Sequence, residues 1–191
     1  ALYFGQLGLN VTLFEKDESL VSGPPWCHLH AGGNLYREIS DEQCIALLKQ
    51  SIDFLRFYPF VVDYRPTVLV LPTTDRSTPE ALLPRLELLT DEYRAHIAKD
   101  KKNEVLGKPE NYYQIYTREK IEQLSTKEIV QDPKTSDEWM IPVSKNIDMD
   151  KVQFPLIMVQ AYGLNIFRLA AGAQMILESS NSVTLQLHSV V

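Results

Sequence analysis

The chain has 191 residues, 45% of them hydrophobic and 23% charged, with a formal net charge of −6. That is ordinary globular material, enough for one good core and a second small one, and its acidic balance excludes the clustered Lys and Arg surface that nucleic acid or an anionic membrane requires. Two cysteines, Cys27 and Cys44, are too few for the disulfide framework of a small secreted domain, so a reduced, cytoplasmic setting is expected. No apolar run reaches the ~18 residues of a membrane span, and the basic-then-apolar succession of a secretion signal is not found, so no membrane-spanning segment is expected.

Residues 1–7 read as the last turns of a helix, and Gly8 suits the left-handed residue that ends it. A strand over 10–14 follows, built on Val11, Thr12, Leu13 and Phe14, with Glu15 at its carboxyl end and Lys16 next. Ala1 in place of Met, and a helix with no cap before it, lead us to expect further sequence upstream; strand-like alternation over 183–191, broken off at the last residue, gives the same expectation downstream.

Gly23, Pro24, Pro25, Gly32 and Gly33 predict a loop over 22–34. Ser40 and Gln43 have the form of a capping box, and Ile45, Leu48, Ile52 and Leu55 recur at helical spacing, so a helix is expected over 41–58. Residues 67–71 read as a strand. Thr78-Pro79-Glu80 then opens a helix that Pro84 must interrupt or start, running to about 98. The lysine-rich stretch 99–111 reads as a loop, 112–116 as a strand, and Thr117 as the cap of a short helix to Leu124. Residues 131–138 read as a surface connection, 139–143 as a strand, and 161–178 as a final long helix despite Gly163 and Gly172.

Two stretches have a composition suited to chemistry. In the order helix, Gly8, strand, Glu15, a fixed carboxylate at the strand end can accept hydrogen bonds from ribose hydroxyls; a solvated surface acid is the competing reading. In Cys27-His28-Leu29-His30-Ala31-Gly32-Gly33-Asn34-Leu35-Tyr36, adjacent glycines permit close approach of backbone N–H groups to a planar ligand. A structural loop is the alternative there. A metal site would need ligands beyond Cys27, His28 and His30, which the spacing does not supply, so no metal is expected.

The run Gly8-Leu9-Asn10-Val11-Thr12-Leu13-Phe14-Glu15-Lys16 resembles the second strand of the flavoprotein family typified by D-amino acid oxidase, glycine oxidase and glycerol-3-phosphate dehydrogenase. His30-Ala31-Gly32-Gly33 is similar to the segment that passes the flavin there, and the two stand roughly a dozen residues apart in the family's order. Leu164-Asn165-Ile166-Phe167-Arg168-Leu169-Ala170-Ala171-Gly172-Ala173, followed by Val183-Thr184-Leu185, is similar to the helix and strand by which the chain re-enters the flavin domain. Residues 60–150 match only as a plausible substrate domain, and the family's glycine-rich first loop and closing flavin segment have no counterpart.

The resemblance implies an α/β fold: a partial FAD/NAD(P)-binding Rossmann-like domain over 1–58, an α+β substrate domain over 59–150 and a return segment over 151–191. It implies FAD as cofactor, held by Glu15, Lys16, His28, His30, Ala31, Gly32, Gly33 and Asn34, in an oxidoreductase acting on a small amine or hydroxy acid. The expected partners are a small-molecule substrate and an electron acceptor. A histidine of the loop could lie near the flavin ring, although a loop histidine also serves as a structural hydrogen-bonding group. Arg56, Arg65, Arg76 and Arg118 are candidates for clamping a substrate carboxylate. Tyr112, Tyr113 and Tyr116 could line a pocket or pack a half-buried strand. A nucleotide-binding methyltransferase, whose second strand also ends in an acid, and a non-catalytic flavoprotein-like scaffold are the alternatives.

Overall fold

The computed structural model describes residues 1–21, 29–31 and 39–191, with the backbone alone for 29–31. Helix and strand are mixed along the chain. The first elements are α1 (Leu2–Gln6), β1 (Val11–Phe14), β2 (Leu29–Ala31), α2 (Asp41–Phe57), β3 (Val62–Asp63), β4 (Thr67–Leu69) and α3 (Leu83–Lys99). Then come β5 (Tyr113–Tyr116), α4 (Arg118–Ser125), α5 (Ser136–Asn146), β6 (Leu156–Val159), β7 (Tyr162–Leu164), α6 (Ile166–Ser179) and β8 (Val183–Gln186). The chain divides into two units, one of residues 1–29, 60–62 and 164–191, the other of residues 30–59 and 63–163.

The first unit is built on a parallel pair of strands distant in sequence. β1 lies beside β8 in the register Val11↔Val183 to Phe14↔Gln186. A parallel neighbour cannot be reached by a tight turn, so the partner must come from far along the chain, here through α6. Gly8, with φ +83°, releases α1 into the approach to β1, in the left-handed region that glycine enters without steric cost. Gly5 is buried, and a Cβ there would stand 2.8 Å from Val183 Cγ2 and 2.9 Å from Ser182 Oγ. Its missing side chain is what lets α1 lie against the start of β8. Asn165 caps α6, its Oδ1 accepting from Arg168 N at 3.0 Å, while the apolar side chains Phe4, Leu7, Phe14, Met175 and Ile176 stay exposed.

The second unit holds the larger core. Ser40 Oγ accepts from Gln43 N at 3.3 Å and Gln43 Oε1 accepts from Ser40 N at 3.1 Å, which pairs two backbone donors that the first turn of α2 would otherwise leave orphaned. From that start Cys44, Leu48, Ile52 and Leu55 fall on one face and are all buried, and α2 packs against α3, which buries Leu86, Leu89 and Tyr93. Each such side chain contributes about 1.5–3 kcal/mol by leaving water. β6 is the central strand of an antiparallel sheet in the order β4, β6, β5, with Val68 opposite Met158 and Gln114 opposite Met158 from the other side. Its four residues are all buried, as befits a strand covered on both faces. Tyr116, Ile121, Leu124, Met140, Ile141, Leu156 and Met158 form the cluster that joins this sheet to α4 and α5.

The helix expected over 41–58, the strands over 10–14 and 67–71 and the short helix capped by Thr117 stand within a few residues of those bounds. Pro84 resolves as a start: a 3-10 turn over Pro79–Leu82 runs into α3, with the proline in its first turn, where the missing N–H costs nothing. Three readings need correction. Residues 139–143 are helical, inside α5, because Thr135 and Glu138 form a capping box: Thr135 Oγ1 accepts from Glu138 N at 3.3 Å and Glu138 Oε2 accepts from Thr135 N at 3.0 Å. The stretch read as a helix from 161 begins as strand β7, and α6 starts only at Ile166, after the Asn165 cap. The loop over 22–34 contains the extended residues of β2; its other residues from 22 onward lie outside the described ones. α2 lies in the second unit.

Candidate functional site

Glu15 stands at the carboxyl end of β1, where the parallel pair closes: its N–H donates to Gln186 O at 2.9 Å and its carbonyl accepts from Ser189 N at 2.9 Å. The backbone is thereby fixed on both sides. The half-buried carboxylate accepts from Asp17 N through Oε1 at 3.0 Å, leaving Oε2 without a hydrogen bond among the described residues. An acidic side chain at the carboxyl end of a parallel strand is where dinucleotide-binding sheets hold a ribose. Lys16 is exposed beside it.

The remaining residues expected to hold the cofactor fall on the 22–38 stretch. His28, Gly32, Gly33 and Asn34 lie outside the described residues, and for His30 and Ala31 the described part is the extended backbone of β2.

In the second unit the chain forms an open cavity of about 890 Å³. Its walls come from four separate stretches: Tyr64 and Arg65 between β3 and β4, Asn111 and Gln114 around the start of β5, Lys134 to Trp139 at the start of α5, and Gln160 and Tyr162 around the β6–β7 junction. Tyr64 and Tyr162 meet edge to face, with ring centroids 5.2 Å apart and planes at 68°. Tyr162 is buried, with its hydroxyl 3.4 Å from Leu106 O, and burial together with the neighbouring Tyr64 pushes that hydroxyl up to about 12, so it remains a neutral donor. Leu106 N in turn donates to Tyr93 Oη at 2.9 Å, and Tyr93 Oη donates to Gly107 O at 2.8 Å. The cavity wall therefore rests on a buried network of polar groups that satisfy one another.

The charged groups of this cavity already have partners. Lys134 Nζ pairs with Asp132 at 2.6 Å, Asp63 and Arg65 are both engaged, and the N-terminus of α5 is closed by its own capping box. Among the described residues the carboxamides of Asn111 and Gln160 and the indole N–H of Trp139 make no hydrogen bond, and Gln114 uses only Oε1, which accepts from Tyr116 Oη at 3.1 Å. A second hollow of about 530 Å³ lies between α3 and β5, lined by Glu87, Asp91, Arg94, Glu110 and Tyr113; its Arg94 is paired with Asp91 at 2.7 Å.

Of the four arginines put forward as clamps, Arg65 alone lines the larger cavity. Arg56 is tied to Asn103 Oδ1 at 2.7 Å and Asp100 at 2.9 Å, Arg118 to Asp150 at 2.6 Å and Glu122 at 3.2 Å, and Arg76 is exposed. Tyr112 and Tyr116 are buried packing residues, and Tyr113 faces the smaller hollow. Sequence reasoning missed Tyr64, Trp139, Gln160 and Tyr162, because they lie on separate stretches of the chain and none carries a motif. Comparison with known protein families, characterised proteins and solved structures returns no match.

Proposed function

We propose that the chain is part of an FAD-dependent oxidoreductase acting on a small amine or hydroxy acid. The observation that carries this reading is the parallel pairing of β1 with β8, which brings the return strand beside the strand that ends in Glu15. A chain that leaves a dinucleotide-binding sheet, builds a second unit around an antiparallel sheet and comes back through a helix into a parallel strand has the course expected of such an enzyme. Exposed Phe14, Met175 and Ile176 on the parallel pair and its helix agree with a larger sheet, since parallel strands are ordinarily covered on both faces.

Glu15 fits the role of ribose acceptor: its position is fixed by backbone hydrogen bonds on both sides, and Oε2 has no hydrogen bond among the described residues. Bound FAD supplies the electron acceptor, and the protein's part is to orient it and set its electrostatics. Glu15 would hold the adenosine end, and Lys16 would stand beside it with a compensating charge.

The test is titration of FAD into the apoprotein and into the E15Q variant, followed by flavin fluorescence. Removing a charge-assisted acceptor costs about 1.5–3 kcal/mol, so a Kd weakened by roughly ten- to a hundredfold is expected. Equal affinity in the two proteins would remove Glu15 from the site, and a protein that binds no FAD at all would overturn the reading.

A further inference from the structure

We propose that the second-unit cavity is a binding site for an uncharged, planar heteroaromatic ligand with an amide-type edge, of the nucleobase or nucleoside class. Three observations carry the inference, and it does not depend on where FAD binds. The first is size: about 890 Å³ falls in the range of cavities that enclose a whole small ligand. The second is the state of the charged groups. Lys134 is paired with Asp132, Asp63 and Arg65 are engaged, the four lining charges sum to zero, and the helix end is capped by Thr135 and Glu138. An anion or a cation entering here would have to displace existing pairs.

The third is what remains free. Asn111, Gln114 and Gln160 present carboxamide groups, and a carboxamide carries a donor and an acceptor on one planar edge, which matches the paired donor and acceptor of a base edge. Trp139 adds an indole N–H that makes no hydrogen bond among the described residues, and the rings of Tyr64 and Trp139 line the cavity, aromatic faces on which a flat ligand stacks. Stacking of one base on one aromatic ring changes affinity by roughly five- to a hundredfold on alanine substitution.

The experiment is isothermal titration calorimetry of the intact chain with uridine as probe, and with phenylacetate and glucose as a flat anion and a neutral non-aromatic ring. The variants are Y64A, at a side chain 64% exposed, and Q160A, with circular dichroism to verify the fold. Saturable binding of uridine, weakened at least fivefold by each variant, is expected. No uridine binding, an affinity unchanged in either variant, or tighter binding of phenylacetate or glucose would overturn the proposal. Both substitutions are in the second unit and Glu15 is in the first, so this outcome is read separately from flavin binding.

Discussion

Replacing Tyr93 by phenylalanine isolates one hydroxyl in the network behind the cavity wall. Tyr93 is fully buried, packs its ring at a tilt against Tyr112 with ring centroids 5.8 Å apart, and its Oη both accepts from Leu106 N at 2.9 Å and donates to Gly107 O at 2.8 Å. Phenylalanine keeps the ring and its packing and removes the oxygen. Gly107 is exposed, so its carbonyl can turn to water, but Leu106 is buried and its N–H would lose its partner. Leaving one buried donor unpaired costs about 1–3 kcal/mol, which for a chain of this size is about 2–12 °C in Tm. Chemical denaturation with matched m-values, together with calorimetry, measures it. The same substitution loosens Leu106, whose carbonyl lies 3.4 Å from Tyr162 Oη, so uridine binding should weaken with it. A stability change below about 0.5 kcal/mol, the range of a neutral surface substitution, would refute the reasoning that this hydroxyl completes a buried network.

Three buried tyrosines set the alkaline limit of stability. Burial raises the hydroxyls of Tyr93, Tyr116 and Tyr162, with Asp137 adding to the effect at Tyr116. In the unfolded chain they ionise near 10, so above that pH the unfolded state has released protons that the folded state still holds. Stability is intact below about 10 and falls as pH rises toward about 12, with a shallower fall in Y162F; a flat denaturation midpoint from pH 9 to 11.5 would contradict this. Replacing Thr135 by alanine removes the acceptor for Glu138 N, and a loss of about 1 kcal/mol is expected in urea unfolding; no change would mean that the capping box does not set the start of α5.

Local signals were legible wherever the chemistry was local. Ser40 with Gln43, Thr117 and Gly8 mark ends of elements through hydrogen bonds or dihedrals that span only a few residues, and the structure uses each of them. Thr135 and Glu138 carry the same signal, but they fall in the stretch read as a surface connection, and their cap shows itself only in the structure. β6 is a short unbroken apolar run, Leu156 to Val159, whose alternation is erased by burial on both faces, so periodicity could not assign it. The parallel partner of β1 at Val183–Gln186 was not read from the sequence, because nothing in strand propensity selects a partner that far away. The cavity was illegible for the related reason that its rings and carboxamides gain meaning only when four distant stretches meet.

The measurement that bears most directly on the proposed function is the absorbance spectrum of the purified protein before and after denaturation. The flavoprotein reading predicts two visible flavin bands that shift to those of free FAD on unfolding and bleach with a small amine or hydroxy acid substrate. A colourless protein that takes up no added FAD would contradict it.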